Sequence, residues 1–454
     1  MSLLLLLLGL AAPPQDVDLV VRNGTVVAMD PGRRVIAGAA IAVDRGAILA
    51  VGPEADVVSR YHGRDLLDAA GGIVIPGLIN AHGHAPMVLF RGIADDLKLM
   101  DWLQKYIFPA EAKNVTADFV KAGTRLAALE MLRSGTTTFV DMYYFEDQVA
   151  EAAKEAGIRT VAGSTFIDFP APDNKTFAEA EAYAERFFKR WAGDPLVVAA
   201  AAPHSAYLCK PEQLKAVRAL ADRFSAPILI HVSESPDEQK QVREKYGRTP
   251  TEHLRDLGFL RKGVLFAHGI WLSPSDRAIV KENGVGVAHC PESNMKLSSG
   301  AAPVRDMLAE GIRLGLGTDG AASNNDLDMF EEMLAAALLA KHATGDPTAA
   351  PAPAVLEMAT LGGARALGME DRLGSLEVGK RADIVVVGLD APRLHPLYDP
   401  VSHLVYAAKG ADVRHVVVEG HVVMRDRKLL TLDEAAVIAE ADRLRGQVIS
   451  TLAH

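Results

Sequence analysis

Cysteine is scarce: Cys209 and Cys290 are the only two in 454 residues, and they lie in separate segments without CxxC spacing. That excludes a disulfide scaffold and a cysteine-ligated zinc site. Positive charge is not concentrated anywhere, since no Lys/Arg-rich run interrupts a chain of formal net charge −10. Nucleic acid and an anionic membrane surface are therefore not expected partners. Long apolar runs are also missing. The N-terminal "MSLLLLLLGLAAPPQD" holds one from Leu3 to Ala12, far too short to cross a bilayer. It has the length of a signal-peptide core, yet no Lys or Arg precedes it and the small-residue cleavage pattern at Gly9 and Ala11 is weak. Residues 1–16 read as a leader or an extension. The cytoplasm is the expected compartment, with export to the periplasm as the alternative if the leader is a signal peptide.

What remains is an ordinary globular mix, 49% hydrophobic and 23% charged, in a chain long enough for one large core and a smaller second one. Both ends carry β patterns. "DLVVRNGTVVAMD" and "AAIAVDRGAILAVG" alternate around turn residues, and "RADIVVVG" and "VRHVVVEGHVVMRD" do the same near the other end. This predicts a small β-sandwich built from residues 17–74 plus 371–430, with a C-terminal helix over 431–454. The middle, 75–370, alternates apolar runs with amphipathic helices such as "TADFVKAGTRLAALEMLRSG", where Thr116 can cap the start and Gly135 the end. The runs number eight: "GIVIPGLINAHGH", "GTTTFVDM", "IRTVAGSTFID", "PLVVAAAAPHS", "APILIHVSE", "GVLFAHGI", "GVGVAHCPES" and "IRLGLGTDG". Eight βα units in a span near the ~250 residues typical of the architecture predict an α/β protein with a (β/α)8, TIM-like barrel. A doubly wound open sheet is the alternative, but no GxGxxG opens a first helix to give its usual nucleotide site.

Barrel chemistry sits at the C-terminal ends of the strands. In order those ends offer His82 and His84, Asp141, Asp168, His204, His231 with Glu234, His268, His289, and Asp319. Six of the fourteen histidines follow apolar runs in this way, which is hard to assign to chance although any one alone reads as a structural residue. His82 and His84 alternate around Gly83, so on an extended strand both imidazoles face the same side of the mouth. His231 and Asp319 complete a three-His, one-carboxylate set for a divalent ion, zinc being the expected one, with a position left for water. Iron, nickel or manganese suits the same ligands. Glu234, three residues after His231, can carry protons, and His268 can orient the water or stabilise developing charge.

Several of these stretches carry a family resemblance. "PGLINAHGHAPM", "HVSE", "AHG", "VAHCPESNMKL", "GTDGAASNN" and the later "VGKRADIVVV" resemble the amidohydrolase superfamily in its mononuclear deaminase branch, in order and over nearly the whole chain after the leader. The resemblance implies His82, His84, His231 and Asp319 as metal ligands, with Glu234, His268 and Asp319 in the chemistry. Binuclear hydrolases of this architecture often use a carboxylated lysine at the end of strand four; here Lys210 comes late, which favours a mononuclear site. Within the superfamily, "RGIADDLKLMDWLQKYIFPAE" and "PHSAYLC" are similar to the 5-methylthioadenosine/S-adenosylhomocysteine deaminases. That similarity implies Trp102 over the nucleoside, Glu111 on the ribose hydroxyls and His204, with Glu234, as further substrate contacts. The implied activity is hydrolytic deamination of an adenine nucleoside, a small-molecule substrate (5'-methylthioadenosine, adenosine or S-adenosylhomocysteine), to the inosine analogue and ammonia. Other hydrolases on the same site, a triazine chlorohydrolase/deaminase or a pterin or guanine deaminase, are the nearest alternatives, and a metal-free barrel used for binding or assembly is the non-enzymatic one. The loop "GSTFIDFPAPDNKTF" offers only Lys175 where an Arg would hold the carboxylate of an amino-acid tail, which tilts the reading to adenosine or methylthioadenosine. The sequence leaves oligomeric state open, a homo-oligomer included.

Overall fold

A computed structural model of the protein describes residues 13–452; the Leu-rich run falls outside them. Five strands come first: β1 (Gln15–Val27), β2 (Val35–Asp44), β3 (Ala47–Pro53), β4 (Tyr61–Asp68) and β5 (Ile73–Pro76). Eight more form the middle: β6 (Leu78–Asn80), β7 (Thr136–Tyr143), β8 (Arg159–Phe166), β9 (Val197–Pro203), β10 (Ile228–Val232), β11 (Val264–His268), β12 (Gly286–His289) and β13 (Arg313–Leu316). The last four are β14 (Ile384–Val387), β15 (Val413–Val418), β16 (His421–Arg425) and β17 (Lys428–Leu429).

Strands β6 to β13 pair in sequence order, every pairing parallel. The first and last meet through the Ala81 N–H donating to Leu316 O (2.8 Å) and the Asp319 N–H to His82 O (3.0 Å). The result is an eight-stranded barrel with helices outside it. Inward residues from successive strands (Ile79, Val140, Val161, Ala200, Leu229 and Leu265) form a core separate from the larger one beneath the helices. The helices start and stop where their sequences say. The Thr116 hydroxyl accepts from Phe119 N–H, Ser134 ends that helix, and Gly135 follows at φ +90°.

The other nine strands form one mixed sheet, ordered β17-β16-β15-β14-β5-β1-β2-β3 with β4 on β1, so both ends of the chain share it. It is tied to the barrel's lower rim by Arg159, the first residue of β8, which is fully buried and ion-paired with Asp383 and Glu419. Removing either carboxylate would leave a buried charge short of a partner. The helix Glu434–Leu452 packs Val437, Leu444 and Val448 inward against Ala117–Arg133 and Phe108–Asn114. No helix among the described residues is long and apolar enough to cross a membrane.

Candidate active site at the barrel mouth

His82 and His84 do not lie on an extended strand: β6 stops at Asn80, and both follow in the turn beyond it. The strand is short because the chain breaks away into the Ala85–Phe90 turn of 3-10 helix, anchored where Asp141 accepts the Ala85 N–H. The two imidazoles converge nonetheless. Nε2 of His82 stands 3.4 Å, and Nε2 of His84 3.2 Å, from Oδ1 of Asp319. Nε2 of His231, from β10, is 3.4 Å from Nε2 of His84. The backbone of His82 can pass this close to the end of β13 because residue 317 is glycine: a Cβ there would stand 2.6 Å from the His82 backbone nitrogen.

The rings of His84, His231 and His268 are each held by Nδ1. Nδ1–H of His84 donates to Met142 O (2.5 Å), that of His231 to His204 O (2.9 Å), and that of His268 to Asn294 Oδ1 (3.1 Å). With Nδ1 engaged in this way, Nε2 is the nitrogen directed at the mouth in all three. Asp319 is held by Ser293 Oγ–H (2.6 Å) and Ser323 Oγ–H (3.0 Å) on Oδ2 and by the Gly320 N–H (2.8 Å) on Oδ1. Three of the strand-end residues here, Ser233, His268 and Asp319, sit at φ +59°, +71° and +62°. Non-glycine residues held in that region store strain and cluster at functional sites.

The electrostatics suit a cation. Burial drives His82 down to about 4 against the pull of Asp319, and drives His231 well below the usual histidine range, so both rings are neutral donors. Burial also works against charge on His84, but the Asp319 carboxylate outweighs it and lifts the ring to about 9. Burial would raise Asp319; His82 and His84 beside it hold it well below the usual carboxylate range instead. Among the described residues, both ring nitrogens of the fully buried His82 lack a hydrogen-bond partner, and the Nε2 atoms of His84 and His231 face each other. Donor atoms from His82, His84 and His231 lie within 4.8 Å of one another, as do those from His82, His268 and Asp319. Buried polar atoms left in this state, with these ligand types, fit a divalent ion of the zinc kind.

Beside the cluster opens a pocket of about 670 Å³, counted to its open mouth. Glu234 and His268 line it with Oε1 and Nε2 3.6 Å apart. Burial raises Glu234 above the ordinary carboxylate value. Trp102, Glu111 and His204 line it too, Trp102 on a π-helical turn spanning Trp102–Ile107 and Glu111 one turn further on. Burial pushes Glu111 up to about 7 and His204 down to about 3.

Not every strand-end residue joins them. Asp168 is exposed and accepts from Lys210 Nζ (2.9 Å) and Gln213 Nε2 (2.9 Å), because β8 ends at Phe166 and the chain has turned outward by residue 168. Lys210 is thereby engaged outside the pocket. His289 is buried with neither nitrogen bonded and does not line the pocket. Sequence reasoning missed Ser293, Asn294 and Ser323, which orient Asp319 and His268. "CPESN" and "GAASNN" are polar and follow strand ends directly, the signal that could have found them.

A (β/α)8 barrel with a His₃-carboxylate cluster and a buried acid in the pocket at its mouth defines a metal-dependent hydrolase. The amidohydrolase family's sequence profile matches residues 73–423, and the chain belongs to that family. A 5-methylthioadenosine/S-adenosylhomocysteine deaminase of Syntrophobacter fumaroxidans is 50% identical over 416 residues, 92% of this chain and 95% of the relative. A 5'-deoxyadenosine deaminase of Methanosarcina acetivorans is 44% identical over 427 residues, 93% and 96% of the two chains. The crystal structure of an adenosine deaminase from Xanthomonas campestris with bound zinc superposes with a TM-score of 0.95 at 41% identity, covering 96% of this chain and 100% of that one.

Proposed function

We propose that this protein is a metal-dependent hydrolytic deaminase of adenine nucleosides, turning adenosine, 5'-methylthioadenosine or a related nucleoside into its inosine analogue and ammonia. One observation carries the reading: a buried carboxylate, Glu234, stands 3.6 Å from His268 in the pocket that His84, His231 and Asp319 also line, together with Trp102 and Glu111. His82, His84, His231 and Asp319 would hold the ion. When bound there, zinc supplies Lewis acidity and brings a water's pKa to about 7.

The remaining work falls to side chains. Glu234 takes a proton from the attacking water and delivers it to the adenine ring nitrogen as the C6–O bond forms. His268, its Nδ1–H fixed on Asn294, keeps Nε2 directed at the attacking oxygen, and Asp319 accepts from it. The second proton moves to the amino group, the C6–N bond breaks, and ammonia leaves. Trp102 offers an apolar wall, and Glu111 accepts from the ribose hydroxyls. Purified zinc-loaded protein is expected to release ammonia from at least one of adenosine, methylthioadenosine, 5'-deoxyadenosine and S-adenosylhomocysteine; release from none overturns the proposal.

The Glu111 assignment has its own test. A hydrogen bond to a charged group contributes about 1.5–3 kcal/mol, so Glu111→Gln should raise KM about 10- to 100-fold, with a smaller effect on kcat. Only the ionised carboxylate accepts from both hydroxyls, so wild-type KM should fall as pH rises through about 7, and the variant should lose that dependence. The stability sign is opposite. A carboxylate raised from 4.5 to about 7 by burial costs stability progressively as pH rises across that window. Glu111→Gln should therefore melt no lower than wild type at pH 8, whereas a purely structural Glu111 would give a lower melting temperature.

A further inference from the structure

We infer that Tyr143 is a further specificity-determining residue: its phenol donates a hydrogen bond to a ribose hydroxyl that in turn donates to Glu111. The inference rests on the deaminase reading above and adds a residue to its recognition of the sugar.

Tyr143 is the last residue of β7, the strand that also brings Asp141 and Met142 to the mouth. Its backbone is fixed on both sides. The N–H donates to Glu146 Oε1 (2.7 Å), and the carbonyl accepts from Thr165 Oγ–H (2.6 Å). The ring packs on Tyr144, with centroids 4.9 Å apart, and lies 6.4 Å from the ring of His84. The residue lines the same pocket as Glu111. Yet its hydroxyl, on a residue only 3% exposed, has no hydrogen-bond partner among the described residues. Trp102, whose Nε1–H is likewise unpartnered, lines the pocket as well.

Buried hydroxyls are nearly always bonded, and an unbonded one costs free energy, so an orphan in a pocket wall calls for a ligand atom. Its neighbour decides which kind. Burial raises the pKa of both Glu111 and Tyr143, and after burial each is the other's strongest influence, Tyr143 lowering Glu111 and Glu111 raising Tyr143. The two polar ends therefore stand close together. An ionised carboxylate only accepts, whereas a phenol can donate. A ligand group meeting both must donate to one and accept from the other. A hydroxyl does both, and a methylene does neither. The ribose hydroxyl that gives its proton to Glu111 keeps its lone pairs for Tyr143. A site built in this way penalises an analogue lacking the hydroxyl, because buried polar groups of the protein are then left unpaired.

The experiment takes the nucleoside turned over best, together with its 2'-deoxy and 3'-deoxy forms, and compares zinc-loaded wild type with Tyr143→Phe. It reads kcat/KM, or competitive inhibition where turnover is too slow. Wild type should prefer the ribonucleoside over both deoxy forms. Tyr143→Phe should lose about 3- to 10-fold on the ribonucleoside, mostly in KM, and almost nothing on the form that lacks the hydroxyl Tyr143 meets. At least one of the two preference ratios should therefore shrink by that same factor. Both ratios unchanged within about twofold overturns the inference, because Tyr143 would then touch neither hydroxyl. Melting of the same preparations is the second readout. Since the phenol has no protein partner to lose, Tyr143→Phe should melt no lower than wild type. A clearly lower melting temperature, or a variant that does not fold, would show a structural role for the hydroxyl and overturn the inference too. Absence of ammonia from every ribonucleoside is a different result, and it defeats the deaminase reading itself.

Discussion

Glu234→Gln should lower kcat by about 10²- to 10⁴-fold, the range that a positioned proton carrier contributes, while the protein stays folded and retains its ion. The side chain is 10% exposed, and its Oε1 stands 3.6 Å from His268 Nε2. Its backbone is fixed from below. Glu238, on the first turn of the helix Pro236–Tyr246, accepts the Glu234 N–H through Oε2 (2.8 Å), and Ser235 caps the same helix through its hydroxyl. Burial raises the Glu234 carboxyl towards the pH at which the reaction would run, which suits a group that must both take and give a proton. Glutamine keeps the shape and loses only that exchange. Ammonia release, elemental analysis and thermal melting on the same preparation separate the outcomes: wild-type metal and melting temperature with turnover lost is the expected pattern. Turnover within about tenfold of wild type would remove Glu234 from the proton path.

The barrel was legible because its strands are buried on both faces and read as unbroken apolar runs. The eight runs correspond to β6 through β13, and the two β-patterned ends meet in one sheet. What the runs do not encode is where pairing stops. His82 and His84 were expected on an extended strand, but the ladder ends at Asn80, and their convergence comes from a turn anchored by Asp141 and admitted by Gly317. Asp168 likewise follows an apolar run yet leaves the mouth, since two residues past the strand end suffice to turn a side chain outward. The anchors of the histidines were illegible for a different reason. Met142 and His204 act through backbone carbonyls, which every residue has, so no side-chain pattern marks them. Trp102 and Glu111 lie on a helical segment whose spacing is the same whether its buried face meets a core or a pocket. The resemblance, not the periodicity, pointed to them, and the structure places both against the pocket.

Removing the ion should abolish turnover, and adding zinc should restore it, with the affinity for zinc depending on pH in a direction the cluster dictates. In the ion's absence Asp319 lifts His84 to about 9, so at neutral pH that ring carries a proton on the nitrogen that would otherwise be a ligand. His82 and His231, pushed down by burial, carry none to displace. Binding zinc below about pH 9 therefore expels one proton, from His84, and apparent affinity should rise about tenfold per pH unit until that value is reached. Between pH 6.5 and 8.0 the dissociation constant, measured by competition with a chelator, should tighten by about 30-fold. An affinity flat across that window would mean that His84 is already neutral without the ion, and a slope twice as steep would mean that a second donor is protonated. Asp319→Asn separates the two causes, because it removes the group that raises His84. The variant should bind zinc more weakly, since a ligand is lost, and with little pH dependence in the same window, since the proton that competes for His84 is no longer held there.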